Sequence, residues 1–466
     1  MHHCLYKHLY RSKMEESALE LKRKISTRIE EWYRKNKNAL LVKGARQVGK
    51  THIIRTTLNE LKCHYIEFNL IEQPEVIDIL NNYHSLDELI MGLSTLTKQP
   101  FIKGKTVIFF DEIQKYKEMV TKIKFLVDEG SFRYILSGSL LGVEITNLSS
   151  APVGYLTTYD MYPLDFEEFL QITNITDDIL NHLKECFTHR QPVMDVIHQK
   201  VLSLFTQYLV VGGMPEAVST FASSYNVNDI LSIHRDIVSL YNLDFTQYET
   251  ADKKLQIANI YNIVPAELLK QNRRFIVSDL KKGLHFERIE NSFLWLKNAG
   301  VVIPVYNATE PRIPLKLNEK QSLFKLYLSD VGMLTSIYGM STKTMLLNKD
   351  KNLNGGGLYE NVVATELISK GFDLYYYNSK RHGELDFVIE YQGSLMPIEV
   401  KSGKDYTAHS ALNSCVNNPE YNVKEAFVFA DCNIEKRGKI TYLPIYMISF
   451  MNNDIIGNYI IDKIEF

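Results

Sequence analysis

Five cysteines in 466 residues, Cys4, Cys63, Cys186, Cys415 and Cys432, are too scattered to form a C-x-x-C pair or a metal-ligand spacing. That excludes a disulfide scaffold and a zinc ribbon, and points to reduced thiols in a cytoplasm. No apolar run approaches the roughly 20 residues a transmembrane helix needs, so no membrane partner is expected. The first residues carry His2, His3, Lys7 and Arg11 but no apolar core, so they do not read as a secretory signal. Charge of one sign is also lacking. The net charge is −2, so any contact with nucleic acid must come from local patches. What remains, 45% hydrophobic and 23% charged residues, is the composition of a folded chain long enough for about three domains.

The most informative stretch is GARQVGKT, Gly44 to Thr51. An apolar run, Ala39 to Val42, precedes it, and a helical pattern, His52 to Leu61, follows. Strand, glycine-rich loop and helix are the setting in which G-x-x-x-x-G-K-[ST] reads as a P-loop. Gly44, Ala45, Arg46, Gln47, Val48 and Gly49 would curl so that their N–H groups face phosphate oxygens, aided by the helix N-terminus. Lys50 would reach the β- and γ-phosphates of ATP, and Thr51 would hold Mg²⁺. VIFFDEIQ, Val107 to Gln114, supports this with four apolar residues that read as a strand buried on both faces. It delivers Asp111, a Mg²⁺ ligand, and Glu112, the base for an attacking water, to the sheet edge where such ligands bind. A third strand, Tyr134 to Leu136, ends in Ser137-Gly138-Ser139. Ser139 could sense the γ-phosphate, or the serines could simply close a turn.

The expected fold is α/β: a P-loop NTPase core with a parallel sheet, a helical and winged-helix middle region, and a C-terminal restriction-endonuclease-like α/β domain. The boundaries read as 1–37 for an N-terminal helical extension, 38–170 for the ATPase core and 171–272 for a helical lid. A winged-helix unit would take 273–347 and a nuclease-like domain 348–466. Helices are expected at Glu15 to Lys37, Glu75 to Leu80, Leu86 to Leu96, Met119 to Asp128, Phe166 to Phe187 and Val196 to Leu209. The winged unit rests on a helix start at Ser278, a helix from His285 to Ala299 and a strand from Val301 to Tyr306. Lys270, Arg273, Arg274, Lys281, Lys282, Arg288 and Lys297 cluster there, as either a phosphate-contacting or a solvated face.

GARQVGKT, VIFFDEIQ, ILSGS and MYPLDFEEFL (Met161 to Leu170) together resemble the AAA-type ATPase core of bacterial and archaeal ATP-binding proteins of unassigned role. YLVVGGMPEAV and LYLSDVGML are similar to phrases of those proteins too. The resemblance implies a C-terminal domain of unknown function with a restriction-endonuclease-like end. Many relatives carry a basic residue where this chain has Tyr155, so no arginine finger is assigned; Arg133 is the nearest candidate. GELDFVIEYQGSLMPIEVKSG, Gly383 to Gly403, alternates about a Tyr391–Ser394 turn as a β-hairpin. Asp386, then Glu399 and Lys401, resemble a PD-(D/E)xK nuclease core, with Glu360 as the acid its helix supplies. Asp386, Glu399 and Glu360 would hold a metal, and Lys401 would orient its water. Three functions stay open: an ATPase controlling a nuclease that acts on DNA or RNA, an ATP-dependent switch with an inactive nuclease fold, and a winged-helix DNA-binding regulator. A homo-oligomer is compatible with all three.

Overall fold

The computed structural model describes residues 21–116, 118–139, 154–245, 251–403 and 405–453. Cys4 and the start of the expected N-terminal helix lie outside them. Two compact units emerge. Of the described residues, the first takes those up to 164, with 214–229 and 298–300, and the second takes those in 165–213, in 230–297 and from 301 onward.

The first unit is built on a five-stranded parallel sheet: β1 (Ala39–Lys43), β2 (Tyr65–Asn69), β3 (Val107–Asp111), β4 (Arg133–Gly138) and β5 (Leu156–Asp160), in the order β2-β3-β4-β1-β5. Val107, Ile108, Phe109 and Phe110 are all fully buried, as an uninterrupted apolar run between two helical layers requires. One face packs Phe68, Phe110, Leu136 and Ile108 against Leu80, Leu89 and Ile123 from the helices Glu75–Asn82, Leu86–Ser94 and Met119–Glu129. Parallel strands place all their C-terminal ends along one edge. Lys43, Asp111 and Gly138 therefore open onto the same side, with β4 between the P-loop strand and the carboxylate strand. The helix Lys24–Lys35 buries Ile25, Ile29 and Trp32, which turns one charged amphipathic stripe into core.

The second unit begins at Asp165, within MYPLDFEEFL. The expected single helix Phe166–Phe187 is broken in two. Asp165 and Glu168 form a capping box on a short helix, Phe166–Phe169, and Thr176 caps a new one, Asp177–His189. Glu366 accepts from Phe166 N at 2.7 Å and pairs with Lys370 at 2.6 Å, which seats the motif on the helix Gly356–Ser369. The glycine pair of YLVVGGMPEAV has a packing role. Gly213 N donates to Asp330 Oδ2 at 2.6 Å, while Asp330 Oδ1 caps the helix Val331–Tyr338 through Met333 N at 2.8 Å. A Cβ on Gly332 would lie 2.5 Å from Gly212 N, so the two sequence phrases meet backbone to backbone.

The sheet of this unit has eight strands: β6 (Val302–Ala308), β7 (Glu319–Leu328), β8 (Tyr375–Ser379), β9 (Gly383–Tyr391), β10 (Ser394–Val400), β11 (Ala426–Ala430), β12 (Glu435–Arg437) and β13 (Ile440–Pro444). Their order is β12-β13-β11-β10-β9-β8-β6-β7. This sheet spans the expected boundary at 347/348. The hairpin β6–β7, read as the wing of a separate winged helix, is the edge of the C-terminal sheet, because Tyr306 pairs with Tyr375 on β8. The expected helix His285–Ala299 shortens to Glu290–Asn298, and its partner is a single turn, Val277–Leu280. The β9–β10 hairpin forms as its alternation predicts, with Gln392 and Gly393 both at positive φ in a two-residue turn.

Candidate nucleotide site and the C-terminal carboxylate cluster

After β1 the backbone turns so tightly that a Cβ on Gly44 would sit 2.2 Å from Met161 O. Gly49 has φ 92°, a left-handed conformation in which glycine avoids the strain of a side chain, and it opens the helix Lys50–Glu60 without a side-chain cap. The first N–H groups of that helix are therefore left to an anion. Lys50 is buried. Its ammonium donates to Gly44 O at 3.0 Å and Ala45 O at 2.8 Å, carbonyls of the loop itself. Burial pushes it down to about 8, against the pull of Glu112 and Asp111.

Thr51 Oγ1 donates to Asp111 Oδ2 at 2.8 Å, and Ser137 Oγ donates to Asp111 Oδ1. A hydroxyl and a carboxylate side by side, with the second carboxylate oxygen held by serine, fit a Mg²⁺ that keeps several waters. Glu112 leaves the strand in a left-handed conformation, φ 58°, an arrangement a glutamate adopts only under constraint from its surroundings. Its carboxylate accepts from Gln114 Nε2, which also donates to Ser139 Oγ at 3.3 Å. The structure thus brings Gly44–Thr51, Asp111, Glu112 and Ser139 to one sheet edge. Gln114, inside a quoted motif, was missed as a site residue. Its position two residues after Glu112 was the available signal. Arg133 is excluded as an arginine finger in its own site. It lies at the opposite end of β4 from Gly138, where it donates to Tyr33 O and stacks on that ring at 4.7 Å.

In the second unit, Asp386 on β9 and Glu399 on β10 are neighbours one step beyond the Ile398–Phe387 pair. Asp386 Oδ2 accepts from Val400 N at 2.9 Å, and Lys401 Nζ pairs with Glu399 Oε1 at 2.8 Å. Glu360 joins them from the helix Gly356–Ser369, so the sequence-predicted set is close in space. Among the described residues no three His, Cys, Asp or Glu side chains form a group that could hold a metal ion. A cation absent from the expected set lies among these carboxylates. Lys325 on β7, fully buried, lies 2.8 Å from Glu384, 3.4 Å from Glu360 and 3.7 Å from Asp386. Arg273 pairs with Glu360 Oε1, while Tyr327 OH donates at 2.7 Å to Oε2, the oxygen that faces Lys325. Burial alone would raise Glu360, but Lys325 and Arg273 hold it below the usual carboxylate range. Asp386, with burial, Glu360 and Glu399 acting together, is pushed well up. Lys325 is held above its ordinary value because its carboxylates outweigh its burial.

The basic group expected to contact phosphates is also partly consumed internally. Lys270 pairs with Glu267 and Asp279, Arg273 with Glu360, and Lys297 lies over the Tyr306 ring.

A five-stranded parallel sheet with the P-loop and two carboxylates on one edge defines a P-loop nucleotide-binding core. Residues 36–170 match the AAA domain family, so this part of the chain is an AAA-type ATP-binding domain. Residues 202–344 and 355–448 match two domains of unknown function, DUF8612 and DUF4143. Their border falls in the Asn348–Gly357 stretch, although the sheet crosses it through β6 and β8. No curated protein matches. Among solved structures, the chain is similar to the Walker-type ATPase PABY2304 of Pyrococcus abyssi (16% identity, 68% of this chain and 96% of that one, TM-score 0.42). It is also similar to the Aeropyrum pernix ORC1 protein in complex with DNA (15%, 72% and 94%, 0.28). The Thermotoga maritima RuvB Holliday junction branch migration motor gives 14%, 66% and 92%, and 0.29. Likenesses this distant carry no function across. Among the described residues no helix is long and apolar enough to cross a membrane.

Proposed function

We propose that the chain is an ATP-hydrolysing switch whose C-terminal α/β unit is a binding module that does not cleave. The observation that carries the first half is the hydrogen-bonded set Thr51–Asp111–Ser137 beside Glu112 at the mouth of the P-loop. Backbone N–H groups of Gly44–Gly49 would hold the phosphates, and Lys50 would exchange its loop carbonyls for phosphate oxygens. Thr51 and Asp111 would hold Mg²⁺, which when bound offsets phosphate charge. Glu112 would take the proton of the attacking water. The second half rests on Lys325. Lys325, Arg273 and Lys401 already pair with the carboxylates that a nuclease would use on a metal, so their charge is offset without one. DNA or RNA remains the expected class of partner for the module, with exposed Lys281, Lys282 and Arg288 as the nearest basic residues.

Two assays test this. Purified protein should hydrolyse ATP with Mg²⁺, and Glu112→Gln should reduce turnover to a small residual rate. The same protein with plasmid or RNA, with Mg²⁺ or Mn²⁺, with or without ATP, should leave both intact. Cleavage lost in Asp386→Ala would restore the nuclease reading, and absence of ATP turnover would remove the first half.

A further inference from the structure

We propose that Gln114 is a positioning residue that ties the catalytic base of the ATP site to the hydroxyl that meets the γ-phosphate. This rests on the reading of Glu112 as that base. Gln114 is 4% exposed, and its two amide hydrogens go to Glu112 and to Ser139 Oγ. Its carbonyl, Oε1, is buried with no partner.

The orientation of the amide follows from its neighbour. Turned over, Gln114 would press a carbonyl oxygen against an ionised carboxylate, two acceptors facing each other. With Nε2 donating, Ser139 Oγ is an acceptor, and its single hydrogen is left to donate elsewhere. A hydroxyl that already accepts a hydrogen bond is the stronger donor. Its partner in the loaded site is a γ-phosphate oxygen. Glu112, Gln114 and Ser139 then form one chain in which the phosphate end and the base end fix each other.

A water that gives one hydrogen to Glu112 keeps a lone pair for phosphorus. In the step itself the water oxygen bonds to the γ-phosphorus. The bond from that phosphorus to the bridging oxygen breaks, and its electron pair leaves on ADP. The water's proton goes to Glu112. Gln114 gains and loses nothing; it sets where the base stands.

The test uses the full chain, with phosphate release for turnover and titration calorimetry for ATP affinity. Gln114→Leu keeps the volume and removes the amide. Its kcat should fall by about 10- to 100-fold, the lower part of what a positioned base supplies, while the ATP Kd changes by less than about threefold. Added to Glu112→Gln, it should change the residual rate by less than about twofold, since a residue acting through Glu112 has nothing left to position. Gln114→Met, which also lacks the amide at similar volume, should show the same loss of kcat at similar Kd, and it carries the test if the leucine variant does not fold. A kcat for Gln114→Leu within twofold of wild type overturns the inference. So does a loss that multiplies with that of Glu112→Gln, or a loss of ATP affinity as large as the loss of rate. A wild-type chain that binds ATP without turning it over removes the reading of Glu112, and the inference falls with it.

Discussion

Replacing Lys325 by methionine keeps the length of the side chain and deletes its charge. In the folded unit Glu360 would then face Asp386 and Glu384 with Arg273 as its remaining cation. Lys325 is fully buried and lies within 4 Å of three carboxylates. Removing one partner of a buried ion pair leaves an uncompensated charge, at a cost of about 3–5 kcal/mol. That range applies undiscounted, because solvent does not reach the ammonium. The two tryptophans make the measurement specific, since Trp32 belongs to the first unit and Trp295 to the second. In a Trp32→Phe background, urea unfolding followed by Trp295 fluorescence reports the second unit alone. Lys325→Met should lower its stability by that amount at pH 7, and Lys325→Met with Glu360→Gln should recover more than half. The pH dependence has a definite sign. Lys325 sits above its ordinary value, so its contribution is complete at pH 7 and is lost only as pH rises through that raised value. Glu360 sits below its ordinary value, so its contribution is present above the ordinary carboxylate range and is lost as pH falls through the depressed one. Without the lysine, Glu360 can relieve its burial by taking up a proton, so the deficit should shrink at pH 5. A deficit under about 1 kcal/mol, or stabilisation of the wild-type second unit by Mg²⁺ or Mn²⁺, would refute the claim that an ammonium does a metal's work here.

Lys50→Ala should weaken ATP binding by about 1.5–3 kcal/mol, the contribution of a charged hydrogen bond, read by calorimetry. Because burial sets the Lys50 ammonium at about 8, wild-type ATP affinity should decline above that pH, with proton uptake visible as a buffer-dependent binding enthalpy near pH 8.5. Glu112→Gln should keep ATP affinity within about threefold while hydrolysis falls to a small residual rate, since it removes a base and no phosphate contact; loss of binding equal to that of Lys50→Ala would invert the assigned roles. Asp330→Ala should cost about 2–4 kcal/mol in the Trp295 transition, as a helix cap and the partner of a buried N–H disappear together.

The ATP site was legible because its chemistry is local. Gly44 to Thr51 is one loop and one helix start, and Val107 to Glu112 is one strand and its end. An uninterrupted apolar run can only be buried between layers, and a parallel sheet sends its C-terminal ends to one edge. The β9–β10 hairpin was legible for the same reason, from period-two alternation about a two-residue turn. The meaning of the carboxylates on it was not. Asp386, Glu399 and Glu360 looked like metal ligands because sequence shows which acids approach each other and not which distant base settles among them. Lys325 enters from a strand 35 residues before Glu360, and Arg273 from 87 residues before it. No periodicity encodes such pairings. The sheet that β6 joins was hidden on the same ground: local pattern gave a strand from Val301 to Tyr306, and tertiary pairing with Tyr375–Ser379 decided which sheet it entered. Gln114 stands between these cases. Its place was written two residues after Glu112, but only the left-handed turn at Glu112 brings its amide back onto that carboxylate and across to Ser139 on the neighbouring strand. Sequence alone determined the elements and the nucleotide loop. Tertiary structure decided which charges are spent on each other, because the cost of burying a charge depends on everything packed around it.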